Sequence, residues 1–164
     1  MVFAVGSAVA GPKPEANTRY DDHFRKYAKH YFGVGTDWHW FKSQAIAESN
    51  LNPNAQSWVK ARGLMQLMSA TYAELQKKNP ELGEITEPRW NIAAGVFYDK
   101  QLWDRYTDVP RDDDRRRFMF AAYNAGAATM RRARNHAREA GHDATAWQSV
   151  TVVAPQVPKW RHAE

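Results

Sequence analysis

The chain has no cysteine, which excludes a disulfide framework, thiolate metal sites and a cysteine nucleophile. Nor does it hold an apolar run of the roughly 20 residues that a membrane-spanning helix needs, the nearest candidate being the short N-terminal stretch MVFAVGSAVA. Sustained apolar–polar alternation is missing too, so no strand is expected, and neither an internal repeat nor a heptad array is present. The six histidines show no two-histidine-plus-carboxylate spacing, and the expectation is no metal and no cofactor.

What remains is one domain's length of chain, 164 residues with 43% hydrophobic and 13% aromatic content, sufficient to bury a core unaided. The formal charge is +5, which favours a polyanionic partner without choosing among nucleic acid, anionic membrane and anionic wall polymer. Ala8-Val9-Ala10 before Gly11 reads as the end of a secretory signal with a small-residue cleavage site, although no basic residue precedes the apolar run. Residues 1–18, closing with the linker-like GPKPEANT, are therefore a signal remnant or a flexible extension.

From Arg19 onward the spacing predicts helices. Phe24, Tyr27, Ala28 and Tyr31 share one face of the first, which Gly33 and Gly35 end. Asp37 is placed to cap a second helix carrying Trp38, Phe41, Ala45 and Glu48 on one side. The stretch LNPNAQSWVKARG reads as loop, followed by a short helix capped by Ser69 and ending near Lys78. A long helix is expected from Pro88 to about Tyr106, opened by its proline. Another begins at Asp112–Asp114, whose carboxylates complement the helix dipole; a turn at Asn124–Gly126 and a basic helix to about Ala140 follow. Pro155 and Pro158 suggest an irregular tail over 151–164.

A carboxylate on the apolar side of a helix costs several kcal/mol to bury charged. Unless a cation neutralises it, it rests protonated or in a cleft, and a protonated glutamic acid can donate to a leaving glycosidic oxygen. Glu48 has that position. Around it stand Glu48-Ser49, Leu51-Asn52-Pro53, Ala55 and Ser57, then Gly63-Leu64-Met65-Gln66-Leu67-Met68. Further on come Ile85, Glu87-Pro88, Asn91-Ile92, Ala94-Gly95-Val96 and Tyr98, and finally Ala121-Ala122-Tyr123-Asn124-Ala125-Gly126. This ordered set of blocks resembles the catalytic domain of the soluble lytic transglycosylases. Tyr20-Asp21-Asp22 with Phe24, together with the arginine-rich helix ending near Gly141, is similar to the catalytic domain of the F-type membrane-bound members.

The resemblance implies a mainly α, lysozyme-like (goose-type) helical domain over residues 19–150 with a substrate cleft. It implies cleavage of the bond between N-acetylmuramic acid and N-acetylglucosamine in peptidoglycan, leaving a 1,6-anhydro sugar. Glu48 then matches the catalytic acid and base. Ser57 matches the serine that orients the N-acetyl group, Met65, Gln66 and Met68 match cleft-lining positions, and Tyr123 and Asn124 match the tyrosine near the carboxyl and its adjacent turn. The implied partner is the peptidoglycan glycan strand, met by a monomer outside the cytoplasm, with no nucleic acid and no membrane span.

Two departures stand out: Ser69 replaces the family's usual proline, and Trp58-Val59-Lys60 replaces a small, glycine-containing stretch. Of the aromatic residues, Trp58 is the best candidate for exposure in the loop. The alternatives are a goose-type hydrolase, needing a second carboxylate for which Asp99, Glu74 and Glu87 are available; an inactive wall-binding protein; and a nucleic-acid binder using the arginines between Arg115 and Arg138.

Overall fold

Helix boundaries fall where short polar side chains, glycines and prolines interrupt the apolar periodicity. A computed structural model describes residues 18–157. It contains α1 (Asp21–Phe32), α2 (His39–Ser49), α3 (Ser69–Lys78), α4 (Pro88–Trp103), α5 (Asp112–Ala125), α6 (Ala127–Glu139) and α7 (Trp147–Val153), with single 3-10 turns at Asp104–Tyr106 and Ala154–Gln156. The chain is mainly helical, as expected; among the described residues the only β-type pairings are isolated bridges joining Arg62 to Gln56 and Leu67. No helix among them is long and apolar enough to cross a membrane.

α1 stops because Gly33 adopts φ +101°, a backbone state open to glycine and strained for other residues. The Asp37 carboxylate accepts the His39 N–H at 3.0 Å, satisfying one of the unpaired donors that open α2. Ser69 is not the cap expected of it: it is the first residue inside α3 and makes no capping hydrogen bond. That first-turn place suits a proline, which accounts for the exchange of one for the other. α4 begins with Pro88, as expected, and tightens into a 3-10 turn after Trp103.

α4 is the axis of the fold. Asn91 through Val96, Asp99 and Leu102 are buried on nearly all its sides, the pattern of a helix enclosed by others. Its Ala93-Ala94-Gly95 run lets neighbours approach closely: a Cβ on Gly95 would lie 2.6 Å from Met65 Cγ. α1, α3 and α5 pack on it, and α6 and α7 extend the bundle from α5.

Two expectations need correcting here. Asn124 and Ala125 belong to the last turn of α5, and the break is confined to Gly126 at φ +89°. The segment after residue 150 is not irregular throughout, since α7 runs to Val153 and Val150, Val153, Ala154 and Val157 are buried in the core; apolar burial outweighs the effect of Pro155, which the 3-10 turn accommodates. The proposed signal remnant and Pro158 lie outside the described residues.

Candidate active site

α2 carries Trp40, Ser43, Gln44, Ala47 and Glu48 along one wall of a cleft of about 390 Å³, and α5 closes the other side with Phe120 and Asn124. The spacing explains the wall: residues 40, 44 and 48 lie successive turns apart on one face, as do 120 and 124. Glu48 stands three residues from Ala45 and seven from Phe41, so it lies at the border between this wall and the face buried through those two residues.

Glu48 is half-buried, and desolvation alone pushes its carboxyl above the ordinary glutamate range. No hydrogen bond or ion pair holds it among the described residues, so nothing offsets the loss of water around the charged form. The proton is thus retained to a higher pH than on an ordinary glutamate, at the surface of an open cleft, the direction that favours a general acid.

Three groups from different helices converge on the stretch 62–65 behind Glu48. Ser49, next to it in sequence, donates its hydroxyl to the Leu64 carbonyl at 2.8 Å. Asn91 of α4 accepts the Met65 N–H at 2.8 Å and donates to the Arg62 and Ile85 carbonyls. Tyr123 of α5 donates to the Met65 carbonyl at 2.6 Å. Gly63 passes between them at φ +75°, where a Cβ would come within 2.4 Å of Asn91 Nδ2. The sequence blocks that flank the candidate acid are thus joined by hydrogen bonds to one short piece of backbone.

Of the residues expected at the site, the structure brings Glu48 and Asn124 together on the cleft. Met65 does not line it: its side chain has 0% exposure and fills the space above Gly95, while its backbone serves the network just described. Tyr123 lies near Glu48; burial is the main cause that raises its pKa well above the tyrosine range, with Asp99 and then Glu48 adding to it, but its hydroxyl is given to the Met65 carbonyl and not to the carboxylate. Ser57 Oγ accepts the Ala61 N–H at 3.0 Å, closing a tight turn and leaving its own proton available. Gln66, at φ +45°, spends its amide N–H groups on the Gly63 and Ala55 carbonyls. Met68 is 42% exposed and Trp58 94% exposed, the latter at the tip of the Ser57 turn.

Sequence reasoning does not single out Trp40, Ser43, Gln44, Ala47 or Phe120 as cleft residues. The signal was available in the spacing of three and four residues back from Glu48 and Asn124. Trp40 sits at the cleft with the Arg116 guanidinium 4.5 Å from its ring centre, a platform of the kind that stacks on a sugar face. Among the described residues no cluster of metal-binding side chains is found.

Residues 24–145 match the model of the family described as the transglycosylase SLT domain. The chain is similar to proteins named membrane-bound lytic murein transglycosylase F: 32% identical over 144 residues to that of Shewanella pealeana, covering 88% of this chain and 28% of the relative, and 34% identical over 121 residues to that of Desulfosudis oleivorans, covering 74% and 26%. Among solved structures it resembles the 70 kDa soluble lytic transglycosylase of Escherichia coli, with a TM-score of 0.64 and 27% identity over 88% of this chain and 22% of that one. The lytic transglycosylase Slt of Pseudomonas aeruginosa superposes with a TM-score of 0.69 at 23% identity over 90% of this chain and 22% of that one, a likeness of fold. The chain spans about a quarter of the length of these relatives.

Proposed function

The chain belongs to the transglycosylase SLT domain family, and on that premise we propose that it is a peptidoglycan lytic transglycosylase in which Glu48 serves first as acid and then as base. The observation that carries this reading is a partly desolvated glutamic acid on the wall of a cleft, without a hydrogen-bond or ion-pair partner among the described residues. Its proton goes to the glycosidic oxygen as the bond from the N-acetylmuramic acid anomeric carbon breaks. The substrate's acetamido oxygen supports that carbon while positive charge develops. The Glu48 carboxylate then takes the proton of the 6-hydroxyl, whose oxygen closes onto the anomeric carbon to give the 1,6-anhydro ring. The attacking oxygen is already tethered to the reacting sugar, which replaces the entropic cost of bringing in water.

Ser57 and Asn124 are the groups proposed to hold the acetamido and hydroxyl groups; Gln66, whose N–H groups are engaged with the Ala55 and Gly63 carbonyls, offers only its Oε1 as an acceptor. Met68 and Trp58 supply exposed apolar surface near the same loop. The likeness to the F-type proteins, named as murein transglycosylases, supports peptidoglycan as substrate and action outside the cytoplasm.

Hydrolysis by the goose-type route would want a second carboxylate on a water-filled cleft. Glu74 is exposed on α3 in a pair with Lys77, Glu87 precedes α4, and Asp99 has 0% exposure, leaving no surface from which to activate water. Incubation of the protein with purified peptidoglycan, followed by mass spectrometry of the soluble fragments, tests the reading. Anhydromuropeptides that vanish with Glu48→Gln support it; reducing-end muropeptides would replace it with hydrolysis.

A further inference from the structure

Beneath the cleft, α4 presents a carboxyl that the proposed reaction does not use. Asp99 is completely buried, and its Oδ1 accepts from Gln44 Nε2 at 3.4 Å. The two remaining polar atoms of this pair, Asp99 Oδ2 and Gln44 Oε1, are also buried and without a hydrogen-bond partner among the described residues. If Asp99 were ionised, both would be acceptors and both would be stranded, a cost of about 1–3 kcal/mol for each buried unsatisfied group before the buried charge is counted. A single proton on Oδ2 removes the difficulty, because a carboxylic acid and a primary amide offer each other one donor and one acceptor.

We propose that Asp99 is held as the neutral acid, its Oδ2–H donating to Gln44 Oε1, and that this closed acid–amide pair makes it a positioning residue for the cleft. Gln44 lines the cleft one helical turn before Glu48, so the pair fixes the α2 wall against α4 at the point where the catalytic residue stands. It also leaves Glu48 as the one carboxyl there that changes charge during turnover. The ionisable groups facing Asp99 are Glu48 from α2, Tyr123 from α5 and its neighbour Tyr98; no cation is among them. Burial is the main cause that raises the Asp99 pKa well above the aspartate range, with the Glu48 charge adding to it and the Gln44 bond opposing it.

The positioning part of this inference rests on the reaction proposed above; the protonation part does not, and the test separates them. The folding equilibrium of the parent and of Asp99→Asn is followed by urea unfolding from pH 5 to 7. Asparagine reproduces the donor–acceptor face of the protonated acid but cannot ionise. A carboxyl that stays protonated in the fold and ionises on unfolding makes the parent lose stability relative to Asp99→Asn, by about tenfold in the equilibrium constant per pH unit. Parallel curves for the two proteins would overturn the neutral assignment. In a peptidoglycan turnover assay, Asp99→Leu, buried but unable to pair, is expected to lower kcat by roughly tenfold or more with KM little changed, and Asp99→Asn to restore most of it. Equal kcat in the parent and the leucine variant would overturn the positioning role. Should Asp99→Leu fail to fold, Gln44→Leu breaks the same pair from the α2 side, and its kcat decides in the same way. Loss of turnover in every protein, the parent included, would overturn the positioning role together with the proposed reaction, while the urea comparison still decides the charge of Asp99.

Discussion

The Tyr123 hydroxyl lies 2.6 Å from the Met65 carbonyl oxygen, so α5 is bonded to the loop that follows the candidate acid and not to the acid itself. The role this assigns to the tyrosine is to hold the 62–65 stretch in place. Tyr123→Phe removes the donor and leaves a buried carbonyl unpaired. The expected result is a loss of about 1–3 kcal/mol in unfolding free energy, read by urea denaturation, with a fall in kcat as the loop loosens. A tyrosine acting on the reacting atoms would instead show a kinetic defect with unchanged stability.

Gly95 faces Met65 at a distance that leaves no room for a methyl group, the Cβ coming within 2.6 Å of Cγ. Gly95→Ala is expected to destabilise by about 1–3 kcal/mol through overpacking. Met65 can shift at the cost of a strained rotamer, whereas Gly63→Ala meets the fixed Asn91 amide in a left-handed backbone state. Gly63→Ala therefore ranks as the more damaging of the two in thermal unfolding.

The acid role of Glu48 requires its proton, and its carboxyl is raised by desolvation. The rate of bond cleavage is therefore expected to be sustained above the ordinary glutamate range and to fall as pH rises through the raised value. The same sign governs folding. A group whose pKa is higher in the fold contributes stability that is present below its unfolded pKa and lost progressively as pH rises through the folded one. Glu48→Gln is therefore expected to flatten part of the stability decline above pH 4.5, the unshifted glutamate value, in urea unfolding, while abolishing turnover. A variant as pH-sensitive as the parent would show Glu48 to be solvated and unshifted.

Lys60 occupies φ +65° in the turn that Ser57 closes, a conformation that costs a side-chain-bearing residue about 1–2 kcal/mol. Lys60→Gly relieves that strain and gives back part of it as extra freedom of the unfolded chain. A net gain of roughly 0.5–1 kcal/mol in thermal unfolding is expected, with activity retained. A loss would mean that the lysine side chain makes a stabilising contact.

Most helix positions were legible because their signals are local: a glycine in a left-handed state at Gly33, a proline opening α4, acidic residues opening α5. The end of the chain was not, since Pro155 reads as a breaker until the burial of Val153 and Val157 is known. The candidate site divides in the same way. Glu48 and Asn124 were recognisable from their surroundings in sequence, but Met65 stands within a block of cleft residues and is drawn inward by the vacancy at Gly95, a contact across 30 positions. The Asp99–Gln44 pair was hidden for a related reason: an aspartate in a helical sequence carries no mark of whether it will face water or another helix.

The turn from Ser57 to Ala61 is closed on itself by the Ser57–Ala61 backbone bond and the Ser57 hydroxyl, while the wall carrying Glu48 is secured separately through Ser49, Asn91 and Tyr123. Exchange of Trp58-Val59-Lys60 for a tip of other length or chemistry is therefore expected to alter which glycan strands the proposed enzyme grips while leaving the proposed cleavage at Glu48 in place.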